Sequence, residues 1–150
     1  MSHLRLQQVD IKKYLPHRKD SLYLQQAEIE NLSATGLAEW RIGHPVIVGH
    51  FPGLPIVPGI CLIEAAAQLA GLIIACQKNF LGEIGVLAGI KKALLKKPVL
   101  PNQLVKLMVK IKDKTEKFYL VTGSAAVAGT QVATFDLILS SLHKNAMQER

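Results

Sequence analysis

Between Ile60 and Gln77 the chain is apolar on every side of a would-be helix, with Glu64 and Gln68 as polar interruptions near the middle. As an eighteen-residue helix the stretch would run about 27 Å at 1.5 Å per residue. A helix without a polar face must be buried all round. A transmembrane span would sit at the short limit of length and would carry those two polar side chains in lipid, so a core helix is expected and membrane insertion is not. The flanking segments alternate with period two and end at turn residues, as half-buried strands do. Val105, Leu107, Val109 and Ile111 would face the core while Lys106, Met108, Lys110 and Lys112 face outward. Phe118 to Val127 and Gln131 to Ser140 read as a hairpin turning at Ala128-Gly129-Thr130. Further strands are expected over Tyr23 to Glu30, Gly36 to Ile42 and Val86 to Leu95. Five or six strands and one apolar helix predict an α+β domain in which a curved antiparallel sheet encloses the helix. Residues 1–150 contain no repeat or linker and read as one domain.

An apolar fraction of 49% and a charged fraction of 19% exclude a disordered chain, and the 5% of aromatics leaves Leu, Ile, Val and Ala to build the core. Cys61 and Cys76 lie in the apolar helix with no disulfide or zinc spacing, so buried free thiols in a reducing compartment are expected. The first fourteen residues mix charged and apolar positions, unlike a signal peptide, which points to the cytoplasm. The net charge is +7, and the segment Lys91–Lys117 holds nine lysines and two acids, an excess of seven. This concentration predicts a positive face for an anionic partner: nucleic acid, an acidic protein or a membrane surface. Few aromatics are interleaved for base stacking, which weighs against nucleic acid.

The segment Gly49-His50-Phe51-Pro52-Gly53-Leu54-Pro55-Ile56-Val57-Pro58-Gly59 packs three prolines and three glycines into a rigid loop that ends where the helix should begin. Unpaired N–H groups near Gly59 would point out of the helix and could stabilise charge developing on a carbonyl oxygen. Glu64 follows one turn later among apolar neighbours, where desolvation should raise its pKa and suit it to give up a proton; a structural core Glu is the bland alternative. A lone His50 in a loop is weak evidence, but a His, a helix N-terminus and a helical carboxyl together are the parts of an acid–base site. Cys61 lacks a third group to orient a Cys–His pair, and His44 with His50 makes a weak metal site, so no metal is expected. His17, His44 and His143 read as structural or exposed.

The His-to-Glu stretch, followed by Leu62-Ile63-Glu64-Ala65-Ala66-Ala67-Gln68, closely resembles the 3-hydroxyacyl-acyl carrier protein dehydratases of the FabZ type. Leu15-Pro16-His17-Arg18 and Lys96-Lys97-Pro98-Val99-Leu100-Pro101 resemble two further landmarks of that family, in the same order. The resemblance implies a hotdog fold, dimers with adjacent long helices, and further assembly into hexamers as trimers of dimers. It implies that His50 meets Glu64 of the other subunit at the mouth of an apolar tunnel receiving an acyl chain on a phosphopantetheine arm. Phe51, Val57, Pro58, Val46 and Ile47 would line that tunnel, and Gly59 would polarise the thioester carbonyl. The reaction implied is loss of water from a 3-hydroxyacyl thioester to give the trans-2-enoyl product, in fatty-acid or related lipid and polyketide biosynthesis, with no metal or organic cofactor. An acidic acyl carrier protein would then dock on Lys91, Lys92, Lys96 and Lys97.

Four features depart from the family pattern. Lys19-Asp20-Ser21-Leu22-Tyr23 replaces an aromatic followed by Pro-Phe, and Val46 and Ile47 stand where two phenylalanines are common. Asn102 stands in place of Gly-Asp, and Lys92-Ala93-Leu94-Leu95 lacks a Phe before the basic pair. These changes spare His50 and Glu64 but alter groups expected around the tunnel, leaving a specialised pathway as open as a housekeeping one. A hotdog acyl-thioesterase and a non-catalytic carrier-protein-binding subunit are the rival readings.

Overall fold

The computed structural model describes residues 3–77 and 82–147. In chain order it contains β1 (His3–Gln7), α1 (Gln8–Tyr14), a 3-10 turn (Lys19–Ser21), β2 (Leu24–Glu30), β3 (Ser33–Ala38), α2 (Pro45–Val48), α3 (Gly59–Gln77), β4 (Glu83–Leu95), β5 (Val105–Lys114), β6 (Phe118–Val127) and β7 (Thr130–His143). The strands form a seven-stranded antiparallel sheet in the order β1-β2-β3-β5-β6-β7-β4. The sheet curls around α3, which is the hotdog arrangement expected from the apolar helix and its alternating neighbours.

Burial follows the pleat. Along β5, Val105, Leu107, Val109 and Ile111 are buried while Lys106, Met108, Lys110 and Lys112 are exposed. Fourteen of the nineteen residues of α3 are buried, among them Leu62, Leu69, Leu72, Ile73 and Ile74. The helix is long and apolar enough to cross a bilayer, but its surface is spent on the protein's own sheet. Close approach of helix to sheet depends on Gly85: a Cβ there would lie 3.0 Å from the Gly71 Cα and 3.1 Å from the Ile74 Cδ1.

The structure extends or trims several expected elements. The third strand ends at Ala38 rather than Ile42, because the backbone leaves the sheet and is held by Asn102. Asn102 N–H donates to Trp40 O at 2.8 Å, and its Oδ1 accepts from Ile42 N–H at 3.2 Å. Asn102 adopts φ 66°, a conformation this short polar side chain tolerates, so its presence in place of Gly-Asp still makes the turn. Strand β1 and helix α1 escaped the pattern because each buries a single side chain, Leu6 and Ile11.

Candidate functional site

Three pieces of chain meet at the N-terminal end of α3: the loop from His50 to Pro58, the first two turns of the helix, and the segment His17–Tyr23. The loop's shape is set locally. Gly53 has φ 81°, which favours glycine, and Leu54 N–H donates to Phe51 O at 2.9 Å. The His50 Nδ1 lies 3.0 Å from Ile56 O, closing the loop on itself. A carbonyl only accepts, so Nδ1 carries the hydrogen and Nε2 of the neutral ring keeps a free lone pair. The ring also stacks at 4.0 Å on Phe51, which is itself half exposed.

The loop is fastened to the sheet by Val57 N–H donating to Val99 O at 2.9 Å. Pro58 immediately precedes α3, and Cys61 N–H turns back onto Pro58 O. Among the described residues nothing accepts from the N–H groups of Gly59 or Ile60, leaving two donors at the helix start. A Cβ on Gly59 would meet the Leu95 Cδ1, the far end of an exposed side chain that would have to swing away.

Glu64 is anchored at one oxygen. Its Oε1 accepts from Gln68 Nε2 at 3.0 Å and lies 3.3 Å from His17 Nε2, while Oε2 has no partner among the described residues. Burial is the largest single influence and pushes this carboxyl upward, but the hydrogen bonds from His17 and Gln68 and the nearby imidazole together outweigh it. The net direction is downward, which corrects the expectation of a raised pKa. The expectation counted the apolar neighbours and missed the two donors. His17, read from the sequence as structural or exposed, is one of them, with a side chain 26% exposed. No sequence spacing ties residue 17 to residue 64; only the fold joins them.

The other candidates fall as follows. Ile47 and Val57 are core residues, Val46 and Pro58 are part-buried, and Phe51 faces outward. Cys61 is buried with its thiol 3.6 Å from the Tyr23 hydroxyl, and burial raises its pKa, the opposite of an activated nucleophile. His44 caps α2 by accepting from Val46 N–H and donates to Asp20 O, and His143 accepts from Asn145 N–H, so both are structural. Among the described residues no cluster of three His, Cys, Asp or Glu side chains could hold a metal.

No hydrogen bond or ion pair joins His50 to Glu64 within the chain. A cavity of about 690 Å³ lies elsewhere, on the outer face of the sheet between Glu28, Thr35, Lys92, Met108, Ser124 and Asp136, and of the candidate site residues only Lys92 lines it. Lys91, Lys92, Lys96 and Lys97 are all exposed. Lys96 and Lys97 sit between Leu95, which packs on Gly59, and Val99, which pairs with Val57, so this pair adjoins the helix start. Lys91 lines a different cleft with Lys112 and Asp113.

Residues 26–132 match the ApeI-like family, described as ApeI dehydratase. The chain is 38% identical over 133 residues, 87% of its length and 94% of the relative's, to a 3-hydroxyacyl-[acyl-carrier-protein] dehydratase FabZ of Herpetosiphon aurantiacus. It is 37% identical to the FabZ of Thiobacillus denitrificans over 85% of this chain and 92% of that one. Among solved structures, the dehydratase heterocomplex ApeI:P from Xenorhabdus doucetiae superposes with a TM-score of 0.77 at 18% identity, covering 93% of this chain and 95% of that chain.

Proposed function

The chain belongs to the FabZ and ApeI-like hotdog dehydratases and is a 3-hydroxyacyl-acyl carrier protein dehydratase, and we propose that His50 and Glu64 carry the reaction. The observation that carries this reading is the bond from His50 Nδ1 to Ile56 O, which fixes the tautomer and leaves Nε2 as a base. Nε2 takes the proton α to the thioester carbonyl, and the electron pair moves into an enolate stabilised by the Gly59 and Ile60 N–H groups and the helix dipole. The C–O bond at the β carbon then breaks as the new imidazolium returns its proton to the departing oxygen, so that the trans-2-enoyl thioester and water leave and His50 is neutral again.

Glu64 enters this sequence as a carboxylate. Its free Oε2 accepts a hydrogen bond from the β-hydroxyl, directly or through water, and holds that oxygen where His50 can reach it. The family resemblance implies that Glu64 comes from a second copy, and the lack of a direct bond between the two groups within one chain agrees with that arrangement. The exposed apolar side chains of Val48, Phe51, Leu54 and Ile60 around the loop and helix start supply a surface for that copy. Phe51, Val46 and Pro58, with Ile47 and Val57 behind them, would shape the acyl tunnel on its completion. The chemistry uses no cofactor beyond the phosphopantetheine arm of the substrate's carrier protein, which docks by charge on Lys96 and Lys97 with Lys91 and Lys92 flanking. A cytoplasmic location goes with this carrier protein and with the two free thiols.

The test is turnover of 3-hydroxyacyl thioesters by folded His50→Ala and Glu64→Gln proteins. Both should lose the enoyl product by about a hundredfold or more. Near-normal turnover of either would remove that residue from the mechanism, and release of free thiol without an enoyl product would favour a thioesterase.

A further inference from the structure

The single-oxygen anchoring of Glu64 depends on the His17–Tyr23 segment, outside the loop that carries His50. Arg18 spans the end of α1: its guanidinium donates to Lys12 O at 2.9 Å, to Leu15 O at 2.7 Å and to His17 O at 2.8 Å. These three carbonyls fix the backbone on either side of Pro16, and with it the position of His17. From the other side, Gln68 is 2% exposed and uses its whole amide. Its Nε2 donates to Ser21 O at 2.8 Å and to Glu64 Oε1, and its Oε1 accepts from Tyr23 N–H at 3.0 Å. A flipped amide would set oxygen against two acceptors and nitrogen against a donor, so the orientation is forced. His17 and Gln68 therefore reach the same carboxylate oxygen from two independently anchored directions. A carboxylate can only accept, so the His17 Nε2 in this contact carries a hydrogen.

We propose that His17 is a positioning residue of the dehydratase: with Gln68 it clamps Glu64 by Oε1 so that Oε2 is presented to the β-hydroxyl of the substrate. This rests on the reading that Glu64 handles the hydroxyl. Leu15-Pro16-His17-Arg18 is then part of the catalytic apparatus, with Pro16 and Arg18 shaping a support and His17 as its contact point. The Lys19–Ser21 turn takes the place of the aromatic and Pro-Phe of the family pattern, and it still delivers Ser21 O and Tyr23 N–H to Gln68. The support survives that substitution because Gln68 bonds the main chain of Ser21 and Tyr23 there, not their side chains.

The titratable group that acts on Glu64 is His17, while Glu64 in turn raises the Tyr23 hydroxyl at the entry to β2 and Cys61 on its own helix. Tyr23 and Cys61 are both pushed up by burial and stay neutral across the working range. His17 is thus the group whose removal changes Glu64 most directly.

The experiment compares His17→Leu and His17→Gln in the full-length protein, each also in a Glu64→Gln background. Circular dichroism and oligomeric state confirm the fold. His17→Leu should lower kcat about tenfold or more, the worth of one hydrogen bond to a charged group, with KM within about twofold. The Glu64 carboxyl, followed by isotope-edited infrared titration, should move to higher pH. His17→Gln, which places an amide donor in the same region, should recover most of both effects. In the Glu64→Gln background the His17→Leu change should cost nothing further. Unchanged kcat and unchanged Glu64 titration in His17→Leu, with Glu64→Gln inactive, would overturn the clamp alone. A fully active Glu64→Gln protein would overturn the role of Glu64 and the clamp with it.

Discussion

Replacing Gln68 by leucine tests the polar network in an otherwise apolar helix, because the two side chains have similar volume and packing is largely kept. Three hydrogen bonds disappear: from Tyr23 N–H, to Ser21 O and to the Glu64 carboxylate. The Tyr23 N–H is left partly buried without a partner, whereas Ser21 is exposed and its carbonyl can turn to water. With about 1 kcal/mol for each neutral bond and somewhat more for the stranded donor and the charged acceptor, the loss comes to about 3 kcal/mol. For a urea slope of about 2 kcal/mol/M this is a midpoint shift of about 1.5 M. The assay is equilibrium urea unfolding at a fixed protomer concentration, since association adds to the apparent stability. A shift under about 0.3 M would show that water replaces the amide without penalty and would refute the network as a structural tie. Gln68→Glu should be worse than leucine at neutral pH, because it sets a second carboxylate against Glu64 and Ser21 O, and acidification should relieve part of the difference.

Other positions follow from the same packing. Gly85→Ala should destabilise by about 1–3 kcal/mol in thermal or urea unfolding, since its Cβ would press on the Gly71 backbone, Ile74 and Leu139. Gly71→Ala should be neutral or stabilising, because its Cβ meets Leu15 at an ordinary 3.6 Å and alanine favours the helix. Burial pushes the Cys76 thiol up to about 11, so alkylation at neutral pH should be slow until the protein is unfolded. Because that folded value lies above the ordinary thiol value of 9.0, the stability Cys76 contributes is full below 9.0 and lost as pH rises towards about 11, which denaturation midpoints across that window will show. Charge reversal of Lys96 and Lys97 together should raise KM for carrier-protein substrates about fivefold at low salt, with the effect fading at high salt and absent for small thioesters. Lys110→Glu, on the outer face of the sheet, should change none of these.

The parts of the molecule legible from sequence are those whose periodicity is complete. The apolar helix was expected from Ile60 and begins at Gly59, and Phe118–Val127 coincides with β6. Elements that bury one side chain, such as β1 and α1, leave no periodic trace, and the exit of the chain after Ala38 depends on Asn102, sixty residues away from Ile42. The site divides in the same way. The loop and the helix start are contiguous in sequence, so His50, Gly59 and Glu64 could be placed together on one motif. Glu64's electrostatics could not be read, because the donors that reverse the effect of burial come from residue 17 and from an amide whose orientation is set by Ser21 and Tyr23. Desolvation can be inferred from neighbours in sequence; a hydrogen-bond partner forty-seven residues away cannot.

The central question for this protein is whether His50 drives loss of water from a carrier-bound substrate. The decisive measurement is the appearance of enoyl-thioester absorbance when the purified protein meets 3-hydroxyacyl-acyl carrier protein, beside a folded His50→Ala protein. A catalytic His50 gives enoyl product from the wild type and about a hundredfold less from the variant. Equal rates from both proteins, or no product from a wild type that binds the carrier protein, would contradict it.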